Sequence, residues 1–195
     1  MGEMKSAWEK AMEKAEKLGK PTDEELKQLE YIPAGNTLAA RFLQEEKYDL
    51  EAELTKYKGS GGRQYVLQGA QEIFLRNIGL PHNENDKKST LRAMAGIKLL
   101  KENTKQLDVI YERINNLLTY YEQARQQAFT QFKKNFEDKI KESAKAVQQR
   151  PGAMASLEAQ IQQQFQDEWR RASNELDAQY DRALDEHRQQ VLKIV

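Results

Sequence analysis

Between Leu107 and Ile194, apolar residues recur every three or four positions in two runs separated by one Pro-Gly step. The first run is Leu107, Tyr111, Ile114, Leu118, Tyr121, Ala128, Phe132, Phe136, Ile140, Ala144 and Val147. The second is Met154, Leu157, Ile161, Phe165, Trp169, Ala172, Leu176, Tyr180, Ala183, His187, Val191 and Ile194. That spacing predicts two amphipathic helices. The runs mirror each other about the Arg150–Pro151 bond, so that Val147 faces Met154, Phe136 faces Phe165, Phe132 faces Trp169 and Tyr121 faces Tyr180. Proline followed by glycine is costly inside a helix, and its place at the mirror point predicts the tip of an antiparallel hairpin. Each arm would be about 65 Å long at 1.5 Å per residue. A mean spacing near 3.6 residues predicts a coiled-coil-like pair with little supercoil. Arg125 opposite Leu176 is the one poor layer.

The first hundred residues predict several shorter helices. Ser6-Ala7-Trp8-Glu9 and Thr22-Asp23-Glu24-Glu25 are capping boxes, each with a side-chain oxygen and a carboxylate placed to satisfy first-turn amides. Trp8, Met12, Ala15 and Leu18 share the face of the first helix, and Leu26 and Leu29 lie on the second. Pro33-Ala34-Gly35-Asn36 is expected to end that second helix. A third then carries Leu38, Phe42, Leu43, Leu50 and Leu54. Gly59-Ser60-Gly61-Gly62 reads as a flexible connection before a fourth helix with Tyr65, Val66, Ile73, Phe74 and Ile78, which Gly79-Leu80-Pro81 ends. From about Asp86 to Pro151 no proline interrupts the pattern, and one long run is expected.

Near the base of the hairpin the apolar stripe widens, with Val109, Ile110, Leu117, Tyr120, Leu184 and Leu192 joining it. A wider stripe implies a third packing partner. The expected architecture is therefore all-α: short helices in residues 1–104, packed on the base of a long antiparallel two-helix hairpin in residues 105–195 with its tip at Arg150–Gly152. Beyond Arg125 the stripe narrows, and the hairpin is expected to protrude as an arm.

Composition changes this picture in three ways. The chain of 195 residues holds 31 basic and 31 acidic side chains, so no global field draws it to nucleic acid or an anionic membrane. It has no cysteine, which excludes disulfides, thiolate metal sites and cysteine nucleophiles and fits a reducing cytoplasm. No window approaches the roughly 20 apolar residues of a membrane span. Met1-Gly2-Glu3-Met4-Lys5-Ser6 matches the loose myristoylation template but has no polybasic or second lipid signal beside it, so lipidation is not expected.

Chemistry is sparse. The two histidines, His82 in a loop and His187 on the seam, have no second histidine at ligand spacing. The seam lacks the inward glutamates of a di-iron bundle. Gly59-Ser60-Gly61-Gly62-Arg63 lacks the Gly-Lys-Ser/Thr ending of a phosphate loop. No catalytic residue, cofactor, metal or small-molecule substrate is expected. The distal arm offers the candidate partner-binding residues: Lys133, Lys134, Lys141, Lys145 and Arg150, with Met154 and with Phe129, which falls off the expected seam. Basic residues among aromatics can hold RNA, although Glu137, Asp138, Glu142 and Glu158 nearly cancel the charge.

Lys5-Ser6-Ala7-Trp8-Glu9, continuing to Gly19, resembles the start of small bacterial all-helical proteins of no assigned activity. The resemblance covers about twenty residues and implies no function. The expectation from the residues is a non-enzymatic cytoplasmic interaction or scaffold protein, with the hairpin serving a protein partner or a homodimer. An RNA- or ribosome-associated factor binding through the arm tip, or a holdase chaperone, is the alternative.

Overall fold

The computed structural model describes residues 22–147 and 154–194, the side chains between 142 and 159 excepted. Among the described residues the protein is all-α: α1 (Asp23–Gln44), α2 (Leu50–Thr55), α3 (Arg63–Asn77), α4 (Glu84–Leu100), α5 (Thr104–Val147) and α6 (Met154–Leu192), with no strand. The expected Ser6–Glu9 capping box, the helix behind it and the Arg150–Gly152 tip lie outside the described residues. None of the described helices is long and apolar enough to cross a membrane. The chain divides into two compact units, through Phe74 and from Leu75. The boundary expected at residue 104 falls between α4 and α5, inside the second.

In the first unit α1 opens as expected. The Thr22 hydroxyl accepts from the Glu25 amide at 3.2 Å, and the Glu25 carboxylate accepts from the Thr22 amide at 2.7 Å. That hydrogen bond from the Thr22 amide holds the Glu25 carboxyl below its usual range. Pro33 does not end the helix, which runs on to Gln44. Pro33 itself is exposed, so the carbonyl it leaves without a donor can meet water, while the residues that follow have a tertiary reason to stay helical. Gly35, Leu38 and Ala39 are buried. A Cβ on Gly35 would lie 2.0 Å from the Val66 carbonyl oxygen, and one on Gly69 would lie 2.2 Å from that of Ile32. Helices α1 and α3 thus cross backbone to backbone through two glycines, and Phe42 meets Phe74 edge to face at 5.6 Å nearby.

The break comes instead at 45–49, splitting the helix expected through Leu54. Asp49 caps α2 by accepting from the Ala52 amide at 3.0 Å. The glycine segment after α2 forms turns. Gly59 has φ +81°, which favours glycine, and the Tyr31 ring lies against buried Gly62, where a Cβ would come within 2.3 Å. Gly62 is the one buried residue of this segment, and Gly59 and Gly61 are exposed.

In the second unit the long run is interrupted. Lys101 leaves α4 in an extended conformation and donates to the Ile194 carbonyl, and Asn103 accepts from the Gln106 amide at 3.3 Å to start α5. Tyr111, buried on α5, donates to the Met94 carbonyl of α4 at 2.7 Å. Helices α5 and α6 run antiparallel. Tyr121 meets Tyr180 at 5.3 Å between ring centres, Phe132 meets Trp169 at 5.5 Å and Phe136 meets Phe165 at 5.1 Å. Leu107, Ile110, Tyr111, Ile114, Leu118, Tyr121, Leu184, Val191 and Ile194 are buried. The widened stripe is narrower than expected, because Val109, Tyr120 and Leu192 are exposed.

Candidate functional site

Helix α5 changes phase at Arg125. The seam residue after Tyr121 and Arg125 is Phe129, not Ala128, which is exposed. Across from it Ser173 is buried where Ala172 was expected, its hydroxyl donating to the Arg170 carbonyl at 3.2 Å. Phe129 is therefore no free aromatic: its ring stands edge to face on Trp169 at 5.0 Å and on Phe165 at 6.1 Å. With Phe132 and Phe136 these rings form one row along the helix pair. Of the five, Phe136 alone is buried, and Phe129, Phe132, Phe165 and Trp169 are half-buried. An open cleft of about 560 Å³ lies along the row, between Lys133, Phe136 and Glu137 of α5 and Ile161, Gln162, Phe165 and Gln166 of α6.

The expected basic patch is locally neutralised. Lys133 lies 3.9 Å from Glu137 and Lys141 lies 3.7 Å from Asp138, all four exposed, and Lys134 is exposed beside them. Exposed pairs of this kind contribute about 0–1 kcal/mol; here they chiefly reduce the local positive field. The side chains of Lys145 and Met154, and the whole of Arg150, lie outside the described residues.

A second group of side chains meets where the 78–83 loop passes α5 and α6. The loop is held at three points. Arg188 Nε donates to the Ile78 carbonyl at 2.8 Å, and the fully buried Thr90 hydroxyl accepts from the Gly79 amide at 3.1 Å. Arg125 Nη1 donates to the His82 carbonyl at 3.2 Å. At this junction the Tyr121 hydroxyl donates to Asp177 at 2.7 Å and lies 3.0 Å from His82 Nδ1. Its single proton goes to the carboxylate, so the second contact requires an N–H on His82 Nδ1. Asp177, Tyr121 and His82 thus form one hydrogen-bonded chain that sets the histidine's tautomer. Beside it lies an open cleft of about 480 Å³, lined by loop residues 81–84, by Glu122, Arg125, Gln126 and Phe129 of α5 and by Trp169 of α6. Arg125 Nε is buried without an acceptor, and among the described residues no carboxylate pairs with Arg125. Glu122, by contrast, is paired with Lys87 at 3.0 Å.

None of this junction was expected from sequence beyond the poor layer at Arg125. Asp177 is half-buried and reaches the seam from the position after Leu176. His187 sits half-buried on the seam with its Nδ1 unpartnered. Among the described residues no three His, Asp or Glu side chains converge to hold a metal.

Burial raises the phenol of Tyr121, with the hydrogen bond to Asp177 and its charge adding to the effect; burial likewise raises Tyr111, with Asp108 adding to it. Both phenols titrate near pH 10 in the unfolded chain. The folded state therefore holds these protons more tightly. Stability from this source is full below about pH 10 and is lost as pH rises toward the folded values. Thermal melts from pH 9 to 11.5 should show this decline, with Tyr121→Phe and Tyr111→Phe each flattening it.

The geometry defines an all-α protein whose distinctive surfaces lie on the α5/α6 pair and the loop beside it. The chain belongs to a family of unknown function, DUF6657, whose sequence model matches residues 51–193. Compared with curated proteins and with solved structures, it finds no match.

Proposed function

We propose that this is a non-enzymatic, cytoplasmic interaction protein in which the α5/α6 pair docks a second copy of the chain. The observation that supports this reading is the aromatic row, in which two helices leave four of five rings half in water. Apolar area left exposed forgoes about 25 cal/mol per Å², so a further helix pair laid along the row gains with every ring it covers. Two such pairs form a four-helix bundle, and a two-fold arrangement uses the same patch twice. The mixed Lys133–Glu137 flank suits self-pairing, because an antiparallel copy sets a cation against an anion.

Light scattering over a concentration series tests the proposal. The wild-type chain should pass from monomer to dimer. Gln162→Glu combined with Gln166→Glu, at the exposed rim of the cleft, should move the midpoint upward about tenfold without lowering the melting temperature. A chain that stays monomeric at high micromolar concentration sinks the self-association reading. Recovery of RNA that salt removes, and that Lys133→Glu with Lys134→Glu abolishes, would put a nucleic-acid role in its place. General suppression of client aggregation would instead favour a holdase.

A further inference from the structure

The cleft beside the 78–83 loop combines a cation, a hydrogen-bonded histidine and an aromatic wall. It shares Phe129 and Trp169 with the row assigned to self-association, while the open groove of that row lies further along the pair, from Lys133 to Gln166. Its cation is Arg125, held by a single backbone carbonyl and facing no carboxylate partner among the described residues. Its wall is the edge-to-face pair Phe129 and Trp169 at 5.0 Å, with the buried ring of Pro81 also lining the space. The cleft's volume of about 480 Å³ lies in the range of about 300–1,000 Å³ usual for small-ligand sites.

Charge narrows the class of occupant. Glu122 is neutralised by Lys87, which leaves Arg125 and the exposed Glu84 as the opposing charges lining the space. A polyanion such as a nucleic-acid backbone or a polyphosphate would set several negative charges near Glu84 with one arginine to offset them. A monoanion can reach Arg125 with one end and keep the other end uncharged. The aromatic wall suits a flat apolar body on that uncharged end. Histidine at the same cleft, its Nδ1 committed to Tyr121, keeps Nε2 as its remaining polar atom.

From these features we infer that the cleft formed by Arg125, His82, Phe129 and Trp169 is a binding site for a small planar monocarboxylate. Arg125 takes the carboxylate by charge-assisted hydrogen bonds, and the aromatic pair takes the planar body. The Asp177–Tyr121–His82 chain holds the loop side of the site in place.

Isothermal titration of the full chain tests this, with phenylacetate, 2-naphthoate and indole-3-acetate as probes and phenylacetamide and sodium sulfate as controls. At least one carboxylate should bind saturably, and the neutral amide about tenfold more weakly. Arg125→Gln should weaken the carboxylate about tenfold. Glu84→Gln should tighten it by about threefold, a gain that damage to the fold would not produce. Absence of saturable binding by all three probes, in protein with wild-type circular dichroism, overturns the inference. So does equal binding of the amide, unchanged affinity in Arg125→Gln, or sulfate competing as well as the carboxylates, which would mark a general anion site. Dimerisation is read in the same samples by light scattering, so failure here and failure of the docking proposal are told apart.

Discussion

Tyr121→Ala is expected to destabilise the second unit by about 3–5 kcal/mol, the range for truncating a large buried ring. The ring has no exposed surface and meets both His82, at 6.0 Å, and Tyr180, at 5.3 Å. Tyr121→Phe keeps that packing and removes only the hydroxyl. It leaves Asp177 without its donor and His82 Nδ1 without its acceptor, at an expected cost of about 1–2 kcal/mol. Urea unfolding followed by far-ultraviolet circular dichroism separates the two contributions. Equal losses from both variants would mean that the hydroxyl, rather than the ring, carries the stabilisation. An unchanged Tyr121→Phe would mean that the chain to Asp177 and His82 contributes nothing net.

Gly35→Ala should reverse the usual sign of its substitution. In an exposed helix the change gains about 1 kcal/mol. Here the new methyl would meet the Val66 carbonyl oxygen at 2.0 Å, the Val66 carbonyl carbon at 2.8 Å and the Ala70 amide nitrogen at 2.9 Å. All three are backbone atoms, so relief requires α1 and α3 to separate, with loss of the packing that both glycines permit. Overpacking costs about 1–3 kcal/mol where side chains can adjust and more where they cannot. The net expectation is a loss of about 2 kcal/mol, read as a lower urea midpoint. Gly61→Ala is the control: a Cβ there finds only the Lys27 side chain, no nearer than 3.5 Å. Wild-type behaviour of Gly35→Ala would show that the two helices do not cross so closely.

Several features of the fold were legible because their causes are local. The Thr22 capping box needs only residues 22 and 25, and the structure forms it. Pro33 does not end α1 because the reason for the helix to continue lies in Val66 and Gly69, more than thirty residues further on. The same holds for Lys101, whose break from the long run ends on the Ile194 carbonyl. Asp49 was legible in principle as a capping residue, but the apolar pattern running from Leu38 to Leu54 concealed it.

The candidate site shows the limit most clearly. A 3.6-residue repeat does not decide which of two neighbouring positions takes the seam after a polar layer. The expected seam took Ala128 and left Phe129 off it, whereas in the structure Ala128 is exposed and Phe129 packs on Trp169. Nothing in the residues around Asp177 marks it, because the group that donates to it, the Tyr121 hydroxyl, lies 56 residues away. The poor layer at Arg125 was the one visible signal, and its cause is the loop carbonyl of His82, 43 residues away.

By itself the sequence determined an all-helical chain and the pairs Tyr121–Tyr180, Phe132–Trp169 and Phe136–Phe165, because periodicity and mirrored spacing are properties of the chain's own order. Only the tertiary structure decided where α1 ends, which aromatic rings are covered, and that Asp177, Tyr121, His82 and Arg125 meet at one cleft. Those outcomes depend on close backbone approach and on single hydrogen bonds between distant segments, and neither leaves a periodic trace along the chain.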